Sequence, residues 1–398
     1  MSRKAMIGVF VLLFSSSVTH AGPPITIGET VKLPSRVMGE ERTLLISVPD
    51  AYTRGALRYP VLYLTDADAQ LMHTRGTVDF LARNGLMPNM IIVGFTNTDR
   101  ARDLTPTRAD WTDRDGKVTK FPTSGGADRF LDFFEKEAVP YVEANYRTEP
   151  YRVFCGHSFG GLFSVHAFLS RPELFNAVIS VSPTLFWDGD LELKKGSAFF
   201  ADRKSLKRTF FMTLGMEGEQ MRTAFDAFAK ILASSRAAGF RYGSMDFPDE
   251  DHGSVVLRSH YYGLKKVFEG WRLPRDMPSG NYRASLEETK RHYLEVSERL
   301  GWKVLPPEVL VNQMGYQALG KKDTARALEF FRYNVATYPD SANVYDSLGD
   351  ALEADGKLDA ALESFTKAGE KGEKSGDPNT AVYRRNADRL REKLGKTK

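Results

Sequence analysis

One pentapeptide limits this chain more than any other stretch. Gly156-His157-Ser158-Phe159-Gly160 follows the apolar run Val153-Phe154-Cys155 and leads into Gly161-Leu162-Phe163-Ser164-Val165-His166-Ala167, so the order reads strand, sharp turn, helix. In that setting a G-x-S-x-G turn presents its serine on a strained bend that only flanking glycines permit sterically. The helix that follows points its positive end at the serine, where a backbone N–H stabilises a developing oxyanion; Phe159 N–H is the donor expected there. The pentapeptide therefore predicts a strand-turn-helix unit of an α/β fold with Ser158 as a nucleophile.

A serine hydroxyl needs an imidazole to take its proton, and in this order of elements the base comes late. Of seven histidines, His252 in Phe247-Pro248-Asp249-Glu250-Asp251-His252-Gly253-Ser254 follows a strand-like stretch and sits in a polar loop, which suits a base. His260 falls on the next helical segment, His166 on the elbow helix, and the His157 side chain should point elsewhere. An acid that fixes the imidazole tautomer is expected between Ser158 and His252. The segment Gly215-Met216-Glu217-Gly218-Glu219-Gln220, after the strand-like run 209–214, offers Glu217 and, as alternate, Glu219. Spacing does not choose between them, and a Ser–His dyad is the third option. The second oxyanion donor belongs to the loop after an early strand, here Leu62-Tyr63-Leu64-Thr65-Asp66-Ala67-Asp68-Ala69.

From about residue 26 to 271 short β-rich runs alternate with helical stretches, the pattern of a mostly parallel sheet covered by helices. Strands are expected at 43–48, 61–65, 90–95, 152–155, 177–181 and 209–214, and helices at 126–144 and 161–170. After Leu273 the texture changes. Pro274, Pro278 and Gly280 mark a linker, and Ser285-Leu286-Glu287-Glu288 is a capping box opening a helix that stops at Gly301. Pro306-Pro307 start a further unit, in which Gly315, Ala327 and Phe331 recur 34 residues later as Gly349, Ala361 and Phe365. With Pro339 closing the first copy, this period resembles the tetratricopeptide repeat. The expected organisation is 1–21 signal peptide, 22–272 α/β-hydrolase domain, 273–306 linker with one helix, and 307–398 small all-α helical-repeat domain.

The first residues carry Arg3 and Lys4, an apolar run from Met6 to Phe14, and Thr19-His20-Ala21, which together predict a cleaved export signal and a periplasmic or secreted protein. That run is too short for a stable membrane anchor. With 55 basic against 51 acidic residues there is no stripe for a nucleic-acid backbone, and no nucleic-acid partner is expected. The single cysteine, Cys155, lies in the apolar strand and reads as a buried thiol without a role.

The chain resembles the putative-esterase family of α/β-hydrolases, which includes siderophore esterases, S-formylglutathione hydrolase, feruloyl esterases and secreted mycolyltransferases. Four runs carry the likeness: Tyr59-Pro60-Val61-Leu62-Tyr63-Leu64, the segment from Ile92 through Asn97-Thr98-Asp99-Arg100-Ala101-Arg102-Asp103-Leu104-Thr105 to Pro106, the elbow, and Ser182-Pro183-Thr184-Leu185-Phe186-Trp187-Asp188. They span most of residues 40–270. The resemblance implies Ser158 as nucleophile, His252 as base, and Asp68 N–H pairing with Phe159 N–H in the oxyanion hole. Where many relatives have Leu-Leu-Asp-Gly, this chain has Leu64-Thr65-Asp66-Ala67. The resemblance nominates Trp187 as a substrate contact, with a core aromatic as the alternative. Arg102 has two readings, a structural ion pair with Asp103 and a clamp for a substrate carboxylate.

The function expected is hydrolysis of a small-molecule or lipid carboxylic ester through an acyl-enzyme, without metal or organic cofactor. Acyl transfer by the same machinery is the second enzyme reading. The non-enzyme reading is an exported interaction protein working through its repeats, which are also expected to mediate dimerisation or protein binding.

Overall fold

The computed structural model describes residues 25–396 apart from 55, 113, 114 and 278, so the expected export signal lies outside the described residues. An eight-stranded sheet forms the centre of the molecule. Its strands are β1 (Glu29–Ser35), β2 (Glu40–Ser47), β3 (Tyr59–Leu64), β4 (Ile91–Phe95), β7 (Thr148–His157), β8 (Ala177–Val181), β9 (Thr209–Leu214) and β10 (Arg241–Asp246). The spatial order is β1-β2-β4-β3-β7-β8-β9-β10. The first two strands run antiparallel to their neighbours, and β4 through β10 are parallel. The missing numbers belong to a separate two-stranded hairpin, β5 (Trp111–Thr112) with β6 (Val118–Thr119).

Central strands are apolar on both faces because both faces are covered. Along β7, Phe154 points into one layer while Val153 and Cys155 point into the other, the two-residue alternation of a pleated strand. The Phe154 layer is rich in phenylalanine, with Phe95, Phe130, Phe133, Phe134, Phe163 and Phe175 all buried. It is closed by α2 (Arg100–Leu104), α3 (Ala127–Phe133), α4 (Val139–Asn145), α5 (Phe159–Ser170), α6 (Trp187–Ala201) and α7 (Glu219–Ser234). The opposite layer lies under α1 (Ala67–Arg83) and α8 (Val255–Val267).

The helix expected over 126–144 is interrupted by one π-helical turn, Phe134–Ala138, between α3 and α4. Pro140, at the start of α4, has no N–H for the carbonyl four residues back and would crowd it, so the backbone widens there. The edge strand β1 alternates half-buried and exposed positions and carries few strong β-formers, which kept it from standing out in the sequence.

Beyond the sheet come α9 (Leu286–Leu300), α10 (Glu308–Gly320), α11 (Thr324–Thr337), α12 (Ala342–Ala354), α13 (Leu358–Ser375) and α14 (Thr380–Lys393). Helix α9 is entered through the Ser285–Glu288 capping box and ends at Gly301 in the left-handed conformation, φ 80°. The 34-residue recurrence is structural: a Cβ on Gly315 would collide with the Phe331 ring, and one on Gly349 with the Phe365 ring. Each glycine thus lets one helix of a pair approach an aromatic on the next. The helical region shares the core beneath α1 and α8, since Tyr293, Val296, Val311 and Met314 join Val256, Leu264 and Phe268 in one apolar cluster. Trp302 packs on Tyr151, the rings tilted with centroids 4.9 Å apart, adding a contact between β7 and the connection after α9.

Candidate active site

Between β3 and β7 the direction in which strands are added reverses. In an open parallel sheet such a switch leaves a crevice beyond the strand ends, where ligands bind. The turns that follow β3 and β7 meet there.

Ser158 sits at the end of β7 with φ 60° and ψ −114°, a left-handed-side conformation that a non-glycine residue adopts only where its surroundings enforce it. The enforcement is visible. A Cβ on Gly156 would overlap the Gly160 carbonyl, one on Gly160 the Thr65 hydroxyl, and one on Gly161 the Val181 carbonyl 2.8 Å away. Ser158 N–H donates to Val181 O at 2.9 Å, and Ser158 O accepts from Leu162 N–H at 2.9 Å, closing the first turn of α5. Phe159 N–H, at the first position of α5, has no intrahelical acceptor.

His252 comes from the loop between β10 and α8. Its Nδ1 lies 2.9 Å from Glu217 Oε1, and the Glu217 side chain is only 7% exposed against 45% for His252. The acid is delivered by a close approach of two loops: a Cβ on Gly215 would strike the carbonyl oxygens of Glu250 and Asp251, and Met216 N–H donates to Glu250 O at 2.7 Å. Burial of the Glu217 carboxyl works against ionisation, but His252 and the neighbouring Ser182 hydroxyl outweigh it and hold the group below its ordinary range. Glu219, the alternate, opens α7 and is exposed; the carboxylate against His252 is that of Glu217.

The His252 ring packs on His157, centroids 4.6 Å apart, so the base candidate stands beside the residue that precedes Ser158. His157 is itself partly buried, and burial first, then the neighbouring His252, pushes its pKa down to about 4, which keeps it neutral. His260 is fully packed, with Nδ1 2.9 Å from the Thr74 hydroxyl, and burial pushes it down to about 3. His166 is clamped between Asp128 at 2.9 Å and Glu192 at 3.1 Å, fastening α5 to α3 and α6. Cys155 is buried, and burial pushes its thiol pKa up, so it is no nucleophile.

After β3 the chain turns through Asp66, φ 56° and ψ 37°, into α1, whose second residue is the exposed Asp68. Asp68 N–H belongs to the first turn of that helix and has no intrahelical acceptor. Arg102 belongs to an ion cluster. Its guanidinium donates to Glu40 at 2.5 and 3.1 Å and to Asp103 at 2.7 Å, while the buried Arg42 bridges the same two acids at 2.7 Å. All three nitrogens of the Arg102 fork donate within this cluster, the geometry of the ion-pair reading. Trp187 is 2% exposed, donates from Nε1 to Thr107, and meets Phe159 edge-on at 5.3 Å. It also walls a cavity of about 630 Å³ shared with Trp111, Phe186, Asp188, Leu193 and Gln220. The features that sequence reasoning passed over are Gly215, the His157–His252 stack and Arg100; the first had a signal, a glycine directly at a strand end.

The fold and these turns define an α/β-hydrolase, and the molecule is a carboxylic ester hydrolase. The family model described as Putative esterase matches residues 35–223. It is 28% identical over 216 residues to the ferri-bacillibactin esterase BesA of Bacillus subtilis, covering 50% of this chain and 75% of that protein. It is likewise 28% identical over 257 residues to the siderophore triacetylfusarinine C esterase of Aspergillus fumigatus, covering 55% and 84%. Among solved structures, an IroE-like serine hydrolase from Shewanella oneidensis superposes with a TM-score of 0.70 at 28% identity, covering 78% of this chain and 99% of that one. No helix among the described residues is long and apolar enough to cross a membrane.

Proposed function

We propose that the chain is a serine esterase working through an acyl-enzyme, with Ser158 as nucleophile, His252 as general base and acid, and Glu217 as the carboxylate that orients His252. The observation that carries this reading is the 2.9 Å contact between the buried Glu217 carboxylate and His252 Nδ1. That contact leaves Nε2 as the nitrogen for the serine proton. Phe159 N–H and Asp68 N–H, each an unpaired donor at a helix start, are the proposed oxyanion hole. Attack of Ser158 Oγ on the ester carbonyl passes its proton to His252. The tetrahedral intermediate collapses as His252 protonates the departing alcohol, and water, deprotonated by His252, then releases the acid.

For the substrate we propose a siderophore-type ester, because the relatives above include a ferri-bacillibactin esterase and a triacetylfusarinine C esterase. The cavity beside Trp187 has the volume for a multi-ring acyl or alcohol portion. Export through the N-terminal segment, the division at residues 272 and 307, and a tetratricopeptide-like partner-binding role for the helical region belong to the same proposal. The test is a set of p-nitrophenyl esters of increasing acyl length beside a siderophore ester, run on the wild type and Ser158→Ala. Turnover that disappears with Ser158→Ala and is fastest on the siderophore ester is the expected result. Equal turnover by Ser158→Ala would remove the serine mechanism, and rejection of the siderophore ester would remove the substrate assignment alone.

A further inference from the structure

The two turns proposed to supply the oxyanion donors belong to different segments; Thr65 N–H donates to Cys155 O at 3.3 Å, and Gly160 packs against the Thr65 and Asp66 side chains. One side chain crosses between them. Arg100, the first residue of α2, donates from Nε to Asp66 Oδ1 at 2.7 Å and from Nη2 to Asp66 Oδ2 at 3.1 Å, a bidentate grip. The same Nη2 donates to the backbone carbonyl of His157 at 3.0 Å, and the guanidinium lies 5.5 Å from the centre of the Phe159 ring. Asn97 completes the set by donating to Asp66 Oδ1 at 2.7 Å. Asp66 is the left-handed residue from which α1 starts, two positions before Asp68. His157 precedes Ser158, and Phe159 follows it.

We propose that Arg100 is the positioning residue of the oxyanion hole, fixing the Asp68 and Phe159 N–H groups relative to each other by tying Asp66 to the His157 carbonyl. The proposal rests on the serine-esterase reading above. A planar fork is required for this. A lysine ammonium is a point donor on a flexible stem and does not grip both carboxylate oxygens and the carbonyl in one plane. Because the hole acts on charge that develops in the transition state, a slackened hole lowers turnover while leaving ground-state binding in place.

The test uses the full chain with Arg100→Ala and Arg100→Lys, read as kcat and KM on a p-nitrophenyl ester, the rate of fluorophosphonate labelling, and the melting temperature. For folded Arg100→Ala, kcat should fall ~10- to 100-fold with KM within about threefold, since displacements near 1 Å cost up to about that much. Labelling should slow in step, because phosphonylation loads the same two donors. The side chain is one-third exposed, so guanidinium chloride at tens of millimolar should restore several-fold of the Arg100→Ala loss and do nothing for wild type. Arg100→Lys should recover little. Turnover of folded Arg100→Ala within twofold of wild type overturns the proposal, as does a rise in KM at constant kcat or a loss that tracks only the unfolded fraction. If Arg100→Ala does not fold, Asp66→Asn, which keeps the volume and breaks the ion pair, gives the same kcat-against-KM split or overturns the idea. A Ser158→Ala variant with full turnover sinks the serine reading itself, whereas an inactive Ser158→Ala beside an unimpaired Arg100→Ala sinks only the positioning role.

Discussion

In the proposed mechanism, replacing Glu217 by glutamine keeps the shape of the side chain and a hydrogen bond to His252 but removes the charge that stabilises the imidazolium formed when Ser158 gives up its proton. With the carboxylate oxygen 2.9 Å from Nδ1 and the charge centres about 4 Å apart, the interaction is worth ~4 kcal/mol at an effective dielectric near 20. His252 is 45% exposed, so solvent screening reduces this by roughly half. The remaining ~2 kcal/mol corresponds to a fall in kcat of about 30-fold. Glutamine also loosens the choice of tautomer, which enlarges the loss. The assay is steady-state hydrolysis of p-nitrophenyl butyrate with thermal unfolding as a check on folding, and Glu219→Gln as the control expected within twofold of wild type. A Glu217→Gln enzyme within twofold of wild type would refute the role of this carboxylate, and a large loss in Glu219→Gln instead would transfer it to the neighbour.

Gly215→Val should part the two loops that bring the acid to the imidazole, because its Cβ meets the carbonyls of Glu250 and Asp251; kcat should drop at least tenfold with the molecule still folded, and unchanged turnover would show that the close approach is not needed. Stability should fall as pH drops from about 6.5 towards 4. His157 and His260 are held neutral by burial, with pKa values of about 4 and about 3, while the unfolded chain takes up protons from about 6.5 downward. The stability these two contribute is therefore complete above about 6.5 and is lost in that window, on the order of a few kcal/mol. Melting curves against pH check this, and His260→Asn should flatten the slope; an unchanged slope would contradict it. Tyr293→Ala, at the shared core between α9 and the sheet, should cost about 3 kcal/mol in chemical denaturation while turnover per folded molecule is kept, and a neutral effect would mean the two regions are not energetically joined.

The parts of the molecule readable from residue order are those where local chemistry and tertiary context agree. The elbow is written as strand, glycine-flanked serine and helix, and the capping box at Ser285 announces α9, because each depends on neighbours in sequence. The 34-residue recurrence of glycine and phenylalanine was legible for the same reason, each glycine marking a helix contact a fixed distance from its aromatic. The choice between Glu217 and Glu219 was not. It depends on where two loops meet in space, and only Gly215 hinted at that meeting. Arg102 and Arg100 lie two residues apart in one motif, yet the first closes an ion cluster with Glu40 and the second spans the turns after β3 and β7. Sequence spacing does not carry that difference, because it is set by which long-range acid each guanidinium faces. Edge strand β1 was silent because a half-exposed strand lacks the apolar continuity that marks the central ones.

The proposed serine mechanism requires a covalent bond to one oxygen. Rapid acid quenching of wild-type protein during turnover of a slowly hydrolysed p-nitrophenyl ester, followed by intact-mass and peptide mass spectrometry, reads that bond directly. The expected result is a single acyl group on the peptide containing Ser158, absent from Ser158→Ala and longer-lived in Glu217→Gln. Steady turnover with no acyl group on Ser158, or with the group on another residue, would contradict the account.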